Sequence, residues 1–130
     1  MKKFLMMMTA ALMMNGNSIC AQQSWTADNG NGTFTNPLFY DEFSDPDIIR
    51  VGDDYYLAGT TMHTVPGVNI LHSKDLLNWE QISYCFDRFD FDDPAFSLMD
   101  KKEVYGQGVW APCIRYNKGK FYVFTNINGK

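Results

Sequence analysis

The sequence has 130 residues, of which 45% are hydrophobic and 15% aromatic, and its formal net charge is −4. This length is sufficient for one small domain. An acidic surface repels phosphate groups, so the charge argues against a nucleic acid partner, whereas a neutral sugar is indifferent to it.

The N-terminal segment has the features of a secretory signal peptide. Lys2 and Lys3 precede an apolar run of 11 residues, 4–14, and small residues follow near Ala21. The run is too short for a membrane span, which needs about 20 apolar residues. We predict cleavage after Ala21, a secreted or periplasmic protein, and no membrane association after cleavage. Removal of 1–21 takes away two lysines and no acid, which leaves nine basic and fifteen acidic side chains, a net charge of −6.

The next segment, 22–35, is rich in Gln, Asn, Gly, Ser and Thr and is predicted to be an exposed leader. From residue 36 onward, short runs of aromatic and β-branched residues are separated by turn residues, a pattern typical of β-strands. The predicted strands are 48–51, 55–61, 68–72 and 80–84, which form a meander. The segment 73–79 is predicted to form at most one helical turn, with Ser73 as its cap.

The strand pattern then recurs. The stretch DPDIIRVGDDYYLAGT (45–60) resembles APCIRYNKGKFYVFTN (111–126), and the two prolines are 66 residues apart. A four-stranded unit repeated at this spacing suggests the blades of a β-propeller. Taken alone, the repeat establishes only an all-β protein with recurring meanders.

A long acidic and aromatic segment, 85–108, separates the two repeats. Its five aspartates do not have the spacing of an EF-hand loop, so we predict a solvated loop with aromatic side chains beneath it. They are Asp87, Asp90, Asp92, Asp93 and Asp100. The mature chain keeps Cys85 and Cys113, which either form one disulfide or remain free. No Cys/His cluster supports a zinc site.

The dipeptide Asp45-Pro46 is a candidate for chemistry. Proline disfavours the helical region for the preceding residue, so Asp45 is predicted to be extended, with a carboxylate that a stiff backbone orients. Ordinary turn chemistry is the alternative. If the segment is extended, Asp47 shares a face with Asp45 and the pKa of one carboxyl rises. Otherwise Asp47 pairs with Arg50 or faces solvent.

Trp110, in GQGVWAP, precedes the second repeat in the position that we assign to Asp45 in the first. An aromatic side chain there can form an apolar wall for a sugar ring. Core packing is the alternative, since most tryptophans serve it.

Three stretches in a fixed order, from Asn36 to Phe124, together resemble glycoside hydrolase family 43. They are NPLFYDEFSDPDIIRVGDDYYL, PGVNILHSKDLLNWEQI and GVWAPCIRYNKGKFYVF. The resemblance implies an all-β, five-bladed β-propeller, of which residues 36–130 supply the first one to two blades. It also implies hydrolysis of glycosidic bonds with inversion, as in β-xylosidases, α-L-arabinofuranosidases and endo-arabinanases.

The resemblance also implies roles for individual residues. Asp45 corresponds to the general base, and Trp110 and Met62 correspond to positions that shape the sugar subsite, although Met62 stands where the family often has an aromatic residue. Cys113 stands where the family often has His. The general acid and the aspartate that tunes it lie further along than this chain, so the chain alone is expected to be inactive.

The resemblance implies a carbohydrate partner and no required cofactor, and it leaves open a structural calcium ion and the oligomeric state. His63 and His72 are candidates for an axial ligand or a polar core contact. A non-catalytic carbohydrate-binding propeller is the alternative function. A fructan-cleaving enzyme ranks lower, because the Asn-Asp-Pro of those enzymes is absent here.

Overall fold

The computed structural model describes residues 26–41, 43–91, 93, 94, 96 and 104–128. The predicted signal peptide and the first part of the predicted leader lie outside these residues. Within them, every regular element is a β-strand, and no helix is long and apolar enough to cross a membrane. The strands are β1 (Ser44–Val51), β2 (Asp54–Thr60), β3 (Gly67–Ser73), β4 (Trp79–Phe86), β5 (Gly108–Asn117) and β6 (Lys120–Asn128).

Strands β1 to β4 form one antiparallel sheet in chain order, and β5 and β6 form a second, two-stranded sheet. The meander predicted from the sequence is therefore confirmed. Two-residue turns close both hairpins, because Val51 pairs with Asp54 and Asn117 pairs with Lys120. Such short loops favour residues that accept a positive φ, as Gly119 does at 80°.

The two hairpins share a β-bulge at the same place. Between Ser44 and Asp47, β1 advances by three residues while its partner β2 advances by two. The same mismatch with β6 occurs on β5 between Trp110 and Cys113. Each bulge contains an X-Pro pair whose first residue has a positive φ, 49° at Asp45 and 25° at Ala111. The repeat seen in the sequence is therefore a repeat in backbone geometry, with an offset of 66 residues.

The core lies where the first sheet meets the second hairpin. Its fully enclosed side chains are Ala58, Val68, Val109 and Ile114. Because Val109 and Ile114 come from β5 and the other two from β2 and β3, the second hairpin covers the first sheet. The aromatic rings of Tyr56 and Phe121, 4.6 Å apart, extend this contact.

The segment after β3 forms bends and no helical turn. The predicted helical turn is therefore wrong, although the Oγ of Ser73 accepts hydrogen bonds from the N–H groups of Asp75 and Leu76. The Asp75 carboxylate accepts hydrogen bonds from the N–H and side chain of Asn78, which hold the pKa of Asp75 far below its ordinary value.

The described part of the acidic segment fits the predicted loop with aromatics beneath it. The rings of Phe86, Phe89, Phe91 and Phe96 contact one another at centroid distances of 5.0–5.4 Å. Asp92 and Asp100 lie outside the described residues. Cys85 and Cys113 are free thiols. Of the two predicted alternatives, the one without a disulfide is therefore confirmed.

Candidate active site

The hairpins β1–β2 and β5–β6 are joined at one end by a set of contacts that we call the junction, formed by Ser44, Thr60, Met62 and Val109. Ser44 pairs with Thr60 across β1 and β2, and the Thr60 hydroxyl donates a hydrogen bond to Val109 O. The N–H of Val109 donates to Met62 O at 2.9 Å. The junction therefore fixes the start of β1, the start of β5 and the end of β2 relative to one another.

Gly108 allows this close approach. A Cβ built on Gly108 would overlap the carbonyl of Met62, and the φ of Gly108 is 94°, which L side chains rarely adopt. Any other residue at this position would force β5 away from the segment that follows β2.

The predicted base and the two predicted subsite residues lie at the junction. Asp45 follows Ser44, Trp110 follows Val109, and Met62 is itself a member. The structure thus brings the predicted base and both predicted subsite residues to the same end of the two hairpins. Their roles in catalysis and binding remain predictions.

Asp45 is exposed at the start of β1. The prediction that Pro46 makes it extended is wrong, since its φ is 49°, in the left-handed region that Asp and Asn tolerate best. The bulge is the physical reason, because it adds one residue to β1 opposite β2 and turns the chain there. The side chain of Asp45 is therefore displayed by a β-bulge and not by a straight strand.

Asp47 forms its contacts with β5, so the alternative in which it pairs with Arg50 is wrong. Its Oδ2 accepts hydrogen bonds from Ile114 N at 2.9 Å and from Arg115 Nη1 at 2.6 Å, both on β5. Partial burial acts to raise the pKa of Asp47, but these hydrogen bonds and the Arg115 charge outweigh it and hold the pKa below its ordinary value.

Trp110 is 41% exposed, so it is not an ordinary core residue. Its indole N–H donates to Gly106 O at 2.8 Å, and its own carbonyl accepts from the Thr125 hydroxyl. Both ends of the residue are therefore held while much of the ring meets solvent. The prediction that Trp110 occupies the position of Asp45 is wrong by one residue. When the two bulges are aligned by their strand pairing, Trp110 is equivalent to Ser44 and Ala111 is equivalent to Asp45.

Met62 has a φ of 53° and lines a cleft of about 140 Å³ beside the junction. We call it the junction cleft, and its lining consists of Ser44, Thr60–Thr64 and Tyr105. Two polar atoms of this lining, Ser44 Oγ and His63 Nδ1, are enclosed and have no hydrogen-bond partner in the described part of the protein. Sequence reasoning did not identify Ser44, because nothing in its local sequence marks it.

A second cavity, of about 580 Å³, lies between residues 38–41 and the end of β3. It is larger than the junction cleft, but Asp45, Met62 and Trp110 are not among the residues that line it. We therefore place the candidate site at the junction, where the chemistry-bearing residues lie.

Of the two histidines, His72 forms polar contacts, which was the predicted alternative to an axial ligand, and the structural calcium ion stays a prediction. His72 Nε2 lies 2.5 Å from Asp54 Oδ1 and its Nδ1 lies 3.0 Å from Glu80 Oε1, so both nitrogens are engaged. Hydrogen bonds to Asp54 and then to Glu80 raise the pKa of His72. The described residues contain no group of three or more His, Cys, Asp or Glu placed to hold a metal ion.

Comparison with known proteins identifies relatives over most of the chain. Residues 34–130 match the family described as Glycosyl hydrolases family 43. The chain is 36% identical over 101 residues to a β-xylosidase from Formosa agariphila, covering 78% of this chain and 17% of that protein. It is 42% identical over 99 residues to a non-reducing end α-L-arabinofuranosidase from Bacteroides ovatus, covering 75% and 18%.

Among solved structures, a bifunctional GH43-CE protein from Bacteroides eggerthii superposes with a TM-score of 0.66 at 44% identity, over 72% of this chain and 13% of that one. The related solved structures are five-bladed β-propellers, and this chain has the strands of the first one to two blades. The chain spans about a sixth of the length of the curated relatives it matches.

Proposed function

The chain belongs to glycosyl hydrolase family 43, and we propose that it is the N-terminal part of a glycosidase that cleaves O-glycosidic bonds in xylan- or arabinan-type glycans with inversion. The relatives carry both β-xylosidase and α-L-arabinofuranosidase names at comparable identities, so the proposed substrate class includes both pentoses. The observation that carries the proposal is the position of Asp45, exposed in a bulge at the start of β1, next to the junction where Met62 and Trp110 also lie.

In the proposed reaction, a water oxygen attacks the anomeric carbon while the Asp45 carboxylate takes its proton. A carboxylic acid from a later part of the enzyme gives a proton to the leaving glycosidic oxygen as the bond to the anomeric carbon breaks. An inverting enzyme needs these two carboxyl groups about 6.5–9.5 Å apart, to leave room for the water. In this proposal Asp45 supplies the base, and the acid comes from another part of the complete enzyme.

The neighbouring carboxylate supports the choice of Asp45. Asp47 is tied to Ile114 N–H and to the Arg115 guanidinium, so its charge serves the contact between the hairpins. Asp45 is exposed at the surface of the junction and is able to receive a proton from water. Of the two aspartates that flank Pro46, Asp45 is therefore the one suited to be a base.

Trp110 and Met62 form the proposed wall of the sugar subsite. The partly exposed ring of Trp110 is held by its hydrogen bond to Gly106 O, which lowers the entropy lost when a sugar packs against it. Met62 adds an adaptable apolar surface within the junction cleft.

The test is Asp45→Asn in the complete enzyme, assayed on aryl β-xylosides and aryl α-L-arabinofuranosides. Loss of a general base lowers kcat by roughly 10²–10⁴-fold, and binding of an oligosaccharide measured by calorimetry should change little. Asp53→Asn is the matched control, since Asp53 is an exposed carboxylate in the turn after β1 that pairs with Arg50 at 3.2 Å. Retention of turnover by Asp45→Asn would defeat the assignment of the base.

Proton NMR of the sugar that is released first tests inversion. An inverting enzyme releases a sugar whose anomeric configuration is opposite to that of the cleaved glycosidic bond. If the complete protein binds xylo- or arabino-oligosaccharides but hydrolyses neither aryl substrate, the result favours the alternative function, a non-catalytic carbohydrate-binding propeller. Export is tested separately, by determining whether the mature protein begins at Gln22.

A further inference from the structure

The junction cleft contains an unusual pair of polar groups. Ser44 Oγ and His63 Nδ1 are shielded from solvent without any hydrogen-bond partner among the described residues, and both residues line the same cleft. An enclosed polar atom without a partner costs free energy, and native proteins contain few of them. Two such atoms in one small cleft therefore call for an explanation.

The threonines of the same cleft are all satisfied. Thr60 Oγ1 donates to Val109 O and accepts from Met62 N, and Thr61 and Thr64 exchange side chain to backbone hydrogen bonds. These contacts fix the segment after β2, whereas Ser44 and His63 each keep an enclosed polar atom without a partner among the described residues. The cleft is thus held in shape before anything binds.

The chemistry of the lining points to a neutral, hydroxylated ligand. No lysine, arginine or acid is among the described residues that line the cleft. A serine hydroxyl both donates and accepts, and a neutral imidazole has one donor and one acceptor nitrogen. A sugar hydroxyl, which also donates and accepts, complements both groups, whereas an anion would find no lysine or arginine in the lining.

We propose that the junction cleft binds a hydroxyl group of the glycan through Ser44 and His63, which makes His63 a specificity-determining residue beside Asp45. This inference rests on the proposed function, and it assigns a substrate contact to two residues other than the predicted Asp45, Trp110 and Met62. Ser44 immediately precedes Asp45, so a hydroxyl held there lies next to the proposed base. The ring of Tyr105, 5.9 Å from that of His63 in an edge arrangement, packs beside the imidazole.

The experiment compares His63→Phe, His63→Gln and Ser44→Ala in the complete enzyme. His63→Phe and Ser44→Ala should each raise KM about tenfold with little change in kcat, because one hydrogen bond to a neutral ligand is lost. His63→Gln keeps a donor and an acceptor and should recover most of the affinity. Because an apolar group replaces an unpartnered polar one, the Tm of the two apolar variants should be unchanged or higher.

Deoxy analogues of the aryl pentosides separate a substrate contact from a structural role. For the analogue that lacks the bound hydroxyl, wild type and His63→Phe should have the same KM. A loss of affinity that is equal for all analogues, or a lowered Tm with a lowered kcat, would overturn the inference, as would an unchanged KM in both apolar variants.

Calorimetric binding of xylo- and arabino-oligosaccharides to the same variants distinguishes this inference from the proposed function. If the complete enzyme has no turnover but His63→Phe weakens binding, the catalytic proposal fails and the cleft assignment stands. If turnover depends on Asp45 and His63→Phe changes neither KM nor binding, only the cleft assignment fails.

Discussion

The hairpins β1–β2 and β5–β6 have the same turn length and the same bulge, but equivalent positions in them differ in burial. Ile48 on β1 is 45% exposed, whereas its equivalent on β5, Ile114, is 1% exposed. On the second strand the order is reversed, since Ala58 on β2 is 0% exposed and its equivalent on β6, Phe124, is 62% exposed.

The difference in burial arises from the strands that pack against each hairpin and not from the hairpins themselves. β2 is paired with β3 on one side and covered by the second hairpin, so Ala58 is enclosed. Within the described residues β6 is paired only with β5, and nothing covers Phe124. We therefore expect the apolar face of β6 to be buried by another part of the complete enzyme.

The strongest test of this comparison is a lysine at the two equivalent positions. Ala58→Lys buries a charge in the core and should destabilise the complete enzyme by at least about 4 kcal/mol. Phe124→Lys should destabilise the complete enzyme by about 3 kcal/mol, since we expect a further blade to cover this position there. Denaturant unfolding of both variants gives these values.

In the isolated 130-residue chain, the two substitutions should have opposite effects. We expect this chain to aggregate through its uncovered strands and to lack turnover. Phe124→Lys should increase its soluble fraction, measured by size-exclusion chromatography, whereas Ala58→Lys should decrease it. A decrease with both lysines would show that the face of β6 is not an uncovered surface.

The second prediction concerns the contact between the hairpins. Gly108→Ala places a Cβ against the backbone of Met62 at a φ of 94°, so it should cost about 3 kcal/mol of stability. Gly119→Ala is the control, because its φ is 80° but no atom lies within 4 Å of the added Cβ, and strain alone costs about 1 kcal/mol. Equal losses of stability would mean that the junction tolerates separation of β5 from Met62.

The sequence predicted the local features of the fold well. Runs of aromatic and β-branched residues predicted the first four strands, and turn residues between them predicted the Gly52-Asp53 turn. The recurrence of this pattern after residue 111 predicted the second hairpin. These features depend on residues close in the chain, whose spacing is visible in the sequence.

The contacts between the hairpins could not be predicted in this way. Asp47 and Arg115 are 68 residues apart, and the nearer Arg50 was an equally reasonable partner until the bulges set the register. The unpartnered atoms of Ser44 and His63 likewise arise only when the segment after β2 folds over the start of β1. Burial and hydrogen bonding are tertiary properties, and one sequence contains no direct signal for them.

The third prediction measures the ion pair between Asp47 and Arg115. It is partly exposed, with 31% and 59% of the two side chains accessible, so solvent screens it. A double-mutant cycle with Asp47→Asn and Arg115→Gln should give a coupling free energy of about 1 kcal/mol. A coupling free energy near zero would assign the contribution of Asp47 to its hydrogen bond with Ile114 N–H.

The same pair has a defined pH dependence. The pKa of Asp47 is lowered in the folded state, so its contribution is complete above the unfolded value of about 3.9 and is lost as pH falls through the folded value. The stability difference between wild type and Asp47→Asn should therefore shrink below about pH 4.

The last and smallest effect belongs to the first sheet, where His72 bridges Asp54 and Glu80 and Lys74 lies 2.6 Å from the same Asp54 oxygen. The pKa of His72 is raised by these hydrogen bonds, so the contribution of its protonated form is complete below the unfolded value of about 6.5 and is lost as pH rises through the folded value. The Tm difference between wild type and His72→Gln should therefore be largest near pH 6 and decrease toward alkaline pH, which is opposite in direction to Asp47. A Tm difference that stays constant with pH would mean that His72 contributes through packing against Tyr56, whose ring lies 5.3 Å away, and not through its charge.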